Sequence, residues 1–142
     1  MLILLAAALL MIQEPEPSLD CANASNTIEI NDCAARDVAF EQARLETYLA
    51  ASIEVLRTEA ETPDAAATVV SELHASQTVW QAYADSACST VYTRWQSGTI
   101  RNLMALSCRR RLTQERTHTL WADYLVSLGG DEPVLPEPLP TP

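Results

Sequence analysis

Apolar residues recur along the chain in three long stretches, each spaced to form one face of an α-helix. The clearest is LHASQTVWQAYADSAC, from Leu73 to Cys88. There Leu73, Trp80 and Ala87 repeat every seven residues, and Val70, Gln77 and Ala84 fill the neighbouring positions. The stripe predicts an amphipathic helix of about four turns, with Leu73, Trp80 and Tyr83 in the core and Cys88 at its end. Upstream, Val38, Leu45, Leu49 and Leu56 share one stripe, flanked by Phe40, Tyr48 and Ile53. Asn26 suits the N-cap of this helix, with Glu29 three residues on reaching back toward it. Thr62-Pro63-Asp64 reads as a stop near Glu61 and an immediate restart, because proline cannot continue one helix but suits the first position of the next. A third helix is predicted from near Thr99 to Gly129-Gly130, with Ile100, Leu103, Met104, Leu112 and Leu120 inward. Between the second and third helices, Ser89 to Gly98 is expected to be a loop carrying Tyr92 and Trp95.

No sustained alternation and no Asn-Gly hairpin marks a strand. The predicted fold class is therefore all-α, a small antiparallel three-helix bundle cross-linked by two disulfides and spanning residues 20–130. Leu2 to Ile12 is eleven apolar residues, too short to span a bilayer and of the length of a signal-peptide apolar region. Residues 1–19 are expected to be an export signal cut between Ile12 and Asp20, although no Lys or Arg precedes the apolar run. Residues 131–142 hold five prolines and are expected to be a disordered, extended tail.

Charge alters the picture by its distribution. The net charge is −10, and from Glu14 to Asp85 there are fourteen carboxylates against three arginines, whereas beyond Asp85 there are five against six. The first two thirds of the chain would repel nucleic acid and draw in a basic partner. The four cysteines, Cys21, Cys33, Cys88 and Cys108, contain no CxxC and no zinc-type spacing. Their even number behind an apolar N-terminus points to two disulfides in an oxidising compartment. If the first two helices form a hairpin about Pro63, Cys33 lies level with Cys88. The expected pairing is then Cys33–Cys88 with Cys21–Cys108, and the long bridge would be worth about 4 kcal/mol in the chain-entropy model. The sequential pairing is the alternative.

Candidate chemistry is sparse. His74 and His118 fall in no metal-binding spacing, no glycine-rich turn presents a serine, and three glycines allow no phosphate loop. No enzyme activity, cofactor or metal is expected. Arg109-Arg110-Arg111 points in three directions on a helix and is expected to pair with carboxylates, Arg111 with Glu115 four residues on.

Four fragments in order resemble the secreted bacterial lysozyme inhibitor family of the LprI type. They are DCANASNTIEINDCAA from Asp20, Leu45-Glu46-x-Tyr48, LHASQTVWQAYADSAC, and SGTIRNLMALSCRRRLTQER from Ser97 to Arg116. The likeness covers roughly Asp20 to Leu120. The chain departs from it at Ala84, where the family often has arginine after the tyrosine. The resemblance implies a periplasmic or secreted helical protein with disulfides, not inserted in the membrane once its signal is removed, and one named activity, lysozyme inhibition. Candidate contacts for a basic lysozyme, or another basic envelope protein, are Glu41, Glu46 and Glu54 on the first helix and Tyr92 and Trp95 in the loop. The competing expectation is a non-inhibitory envelope or stress-response module that binds another periplasmic protein or peptidoglycan fragments.

Overall fold

The computed structural model describes residues 20–127 and 132–140; the expected export signal and the Gly129-Gly130 helix end lie outside them. A 3-10 turn, Cys21–Asn23, leads into α1 (Thr27–Glu59), α2 (Pro63–Arg94) and α3 (Arg101–Leu120), which ends in a π-helical turn, Trp121–Leu125. No strand occurs among the described residues. The fold is an all-α antiparallel three-helix bundle.

The starts are set by the expected side chains. Asn26 accepts the Ile28 and Glu29 amides at 3.1 and 3.0 Å. Glu29 reaches back to the amide of Ser25, one residue before the cap, at 2.9 Å. Thr62 caps α2 by accepting the Ala65 amide, with Pro63 in the first turn. At the other end α2 continues two turns beyond Cys88, because Ser89 to Arg94 contains no helix breaker and Val91 packs on the core. Tyr92 therefore stands on the helix, not in a loop, and Trp95 caps its end.

α3 packs against both other helices, and the direct α1–α2 contact is the sparsest of the three. The core forms two clusters. Leu45, Leu73 and Leu120 meet with Leu49, Ile53, Leu56 and Tyr124 beside them. Ala84, Cys88, Cys108 and Leu112 meet with Ala87 and Val91. Trp80 is half-buried and touches both clusters; Leu103 is half-buried at the start of α3. Tyr83, expected in the core, is 59% exposed. The residue beside it, Ala84, takes the inward position and is fully buried, since one residue turns a helix by about 100°. Phe40 is likewise exposed.

The disulfides correct the nested expectation. Cys21 pairs with Cys33 and Cys88 with Cys108, each with Cα atoms 5.6 Å apart. Counting outward from a turn was sound, but the relevant turn is the one between α2 and α3. Cys88 and Cys108 stand ten residues either side of Gly98, and Cys88 faces α3. The two bridges close short loops of 12 and 20 residues, worth about 3 kcal/mol each in the chain-entropy model.

The proline-rich end also departs from expectation. Residues 132–140 are extended, as prolines favour, but they are docked along α1 and α3. The chain reverses after the π turn through a Val134 amide to Leu125 carbonyl bond of 3.0 Å. Leu125 is 2% exposed and Pro138 is buried.

Candidate functional site

The expected contact residues fall in separate places. Glu41 is fully buried between α1 and α3, so it is not part of an exposed acidic rim. Its carboxylate pairs with Arg44 at 2.9 Å and accepts a hydrogen bond from Gln114 at 2.8 Å. A carboxylate is buried only with such partners. Glu54 is exposed and pairs with Arg57, one turn further along α1. Tyr92 and Trp95 lie at the far end of α2, about 35 Å from Glu54 at 1.5 Å per helical residue. Both aromatics are partly exposed, and the Arg101 guanidinium lies 5.4 Å from the Tyr92 ring centre. A surface that uses Glu54 therefore does not place the Trp95 side chain in the same cleft.

Glu46 lies on the rim of a cleft of about 350 Å³ between α1 and α2. Gln42, Leu45 and Leu49 line one wall; Gln77, Trp80 and Gln81 line the other; Arg109 of α3 forms the floor. The amides recur at helical spacing, Gln77 and Gln81 four apart on α2. Arg109 is held by Asp85 at 2.6 Å and lies 6.0 Å from the Trp80 ring centre. Arg116 donates to Gln77 at 3.0 Å and to Ser76 at 2.8 Å, fixing the direction of the Gln77 amide. The cleft thus offers an aromatic edge, three amides and one carboxylate, a set that can bind a polar ring but contains no nucleophile paired with a base. Sequence reasoning missed this grouping because Gln77 counted only as part of an apolar stripe, and the sparse α1–α2 packing was not visible.

The arginine run behaves as its helical geometry requires. Arg109 pairs with Asp85 on α2, Arg110 with Asp37 on α1 at 3.4 Å, and Arg111 with Glu115 on its own helix at 2.7 Å. His74 is exposed on α2, while His118 on α3 meets Glu137 at 3.1 Å. Among the described residues no group of three His, Cys, Asp or Glu side chains could hold a metal ion. No described helix is long and apolar enough to cross a membrane.

The acidity concentrates at the α1–α2 turn. Glu59, Glu61, Asp64 and Glu72 are exposed there and make no ion pair among the described residues, as is also true of Glu46. At the opposite end two carboxylates are held below their ordinary range by hydrogen bonding. Asp20 is lowered chiefly by the side-chain amide of Asn23 and then by the Ala22 amide. Glu29 is lowered chiefly by the Ser25 amide.

A small all-α domain with two local disulfides, an acidic pole and an amide-lined cleft is the class of molecule this geometry defines. Its affiliation is specific. The family model for lysozyme inhibitor LprI matches residues 20–120, and the chain belongs to that family. An uncharacterized protein of Rhizobium meliloti (strain 1021) is 30% identical over 112 residues, covering 76% of this chain and 79% of the relative. No solved structure matches the chain.

Proposed function

We propose that this protein acts outside the cytoplasm by binding and inhibiting a basic lysozyme, and that its acidic pole makes the approach. The observation that carries the reading is family membership over the whole helical core. Two disulfides suit an oxidising compartment. The carboxylates Glu46, Glu59, Glu61, Asp64 and Glu72 are not neutralised within the fold, so their field is available to a cationic partner, and such fields accelerate encounter. Glu46 and Glu54 are the α1 carboxylates best placed for contact. Glu41 is withdrawn from that role by its burial, and Tyr92 and Trp95 would act only as a separate, distal contact. The protein works by occupying its partner rather than by chemistry of its own.

The test is lysis of cell walls by a basic lysozyme in the presence of purified, oxidised protein. Lysis is blocked near one-to-one at low salt and relieved by raised salt. Changing Glu59, Glu61, Asp64 and Glu72 together to the neutral amides raises the protein concentration needed for half-inhibition by roughly tenfold at low salt and much less at high salt. Unaltered lysis at large excess rejects the reading for that enzyme.

A second reading is favoured by the α1–α2 cleft. Its Trp80 edge and the Gln42, Gln77, Gln81 and Glu46 side chains suit a sugar ring, and its volume is in the range of small-ligand sites. On this reading the protein is an envelope module that binds peptidoglycan fragments without inhibiting lysozyme. A chitooligosaccharide would then shift the Trp80 indole N–H resonance in a saturable way. A Trp80 resonance unmoved at millimolar sugar, with lysis blocked, rules it out.

A further inference from the structure

The groove between α1 and α3 is filled by residues 132–140, and the side-chain bonds made to the main chain of this segment run in one direction. Three side chains of the groove each donate to a main-chain carbonyl of the segment. The Trp121 indole Nε1 donates to Leu135 at 2.9 Å, the Tyr48 hydroxyl to Pro136 at 2.6 Å, and Arg44 Nη1 to Leu139 at 3.0 Å. The indole and guanidinium groups can only donate. Pro133, Pro136, Pro138 and Pro140 have no amide hydrogen to offer. A groove furnished with donors thus meets a segment rich in unopposed acceptors.

Two amides of the segment find acceptors away from those side chains. Val134 bonds to Leu125 at the reversal, and Leu139 bonds to Glu137 within the segment at 2.9 Å. Pro138 is the buried anchor. The fit is also incomplete, because a cavity of about 560 Å³ remains beside Pro138 and Pro140, lined by Gln114, Glu115, His118 and Thr119 of α3. The groove can hold more than the segment now in it.

We propose that the α1–α3 groove is a recognition site for extended proline-rich peptides, read through their carbonyls, and that residues 132–140 occupy it as an intramolecular ligand. Recognition of a proline-rich segment by aromatic side chains follows the general mode in which a stiff, low-entropy peptide docks on an aromatic-lined groove. Tethering raises the local concentration of the internal ligand to the millimolar range, so an external peptide binds weakly until the segment is loosened. This inference is independent of the lysozyme reading, since it uses the α1–α3 groove and none of the carboxylates invoked there.

The experiment uses the full chain and, as probe, a fluorescein-labelled peptide with the sequence of residues 131–142. Pro138→Asp puts a carboxylate at the buried anchor and frees the groove. Polarisation should show this variant binding the peptide at least about tenfold tighter than the native chain. Adding Tyr48→Phe to it should weaken the peptide by roughly three- to tenfold, the loss of one hydrogen bond. A Pro138→Asp chain with native helical circular dichroism that binds no peptide at millimolar concentration overturns the proposal. If that variant does not fold, hydrogen exchange of the native chain decides. Excess unlabelled peptide should speed exchange at the Val134 amide by displacing the segment, and an unchanged rate overturns the proposal equally.

Discussion

Glu41 shares its buried carboxylate between Arg44, one turn along α1, and Gln114 across the α1–α3 interface. Replacing it with alanine leaves the largely buried Arg44 without its carboxylate and should destabilise the fold by about 3 kcal/mol, within the range for one partner lost from a buried pair. Thermal or denaturant unfolding measures this, and a Glu41→Ala chain as stable as the native one would show the pair to be dispensable. Leu120, fully buried in the cluster with Leu45 and Leu73, should cost about 2–5 kcal/mol when cut to alanine. The two positions differ in how readily sequence exposes them. Leu45, Leu73 and Leu120 announce themselves by apolar spacing. Glu41, Ser52, Thr113 and Thr117 are equally inward; the three hydroxyls bond the carbonyl four residues back on their own helix, and Glu41 takes its partners from Arg44 and from Gln114 across the interface. A count of apolar side chains passes over such positions. Tyr83 and Ala84 show the converse error, since a large aromatic near the stripe attracts the eye while the small neighbour occupies the contact.

The helices themselves were legible wherever a cap or breaker marked them. Asn26 with Glu29, and Thr62 with Pro63, place two helix starts from sequence within a residue. α2 ran past its expected end because a cysteine was read as a terminus when only Ser97-Gly98 carries a break. Pairing between elements was less legible, since three helices can be arranged in more than one way and the nested bridges assumed that α1 and α2 are the closest neighbours. At the entry to α1, acid should act first. Asp20 and Glu29 have folded-state pKa values held below the ordinary carboxylate range by hydrogen bonds, so their stabilisation is present above that range. As pH falls through and below that range the unfolded chain takes up protons more readily than the folded one, and the contribution is lost. Protection against amide exchange around Ile28 to Ile30, relative to the unfolded chain at the same pH, should therefore fall as pH drops through the carboxylate range before that of the α2–α3 core responds. Glu29→Gln should abolish most of that selectivity.

Viewed whole, the molecule has an acidic pole at the α1–α2 turn, an amide-lined cleft along one side and a peptide-filled groove along another. The pole was foreseeable from the charge imbalance before Asp85; the cleft and groove were not, because they depend on where helices diverge and on a segment whose prolines suggested no contacts. Covalently, however, the molecule is two pieces. One bridge lies wholly within residues 21–33 and the other wholly within 88–108, and only the main chain between Glu59 and Pro63 joins α1 to the α2–α3 pair. A single proteolytic cut after Glu61 would turn the chain into a split protein whose halves, each with its own bridge intact, part in denaturant and should reassemble on its removal. The chain is thus open to scission and complementation at the very point where its charge is densest.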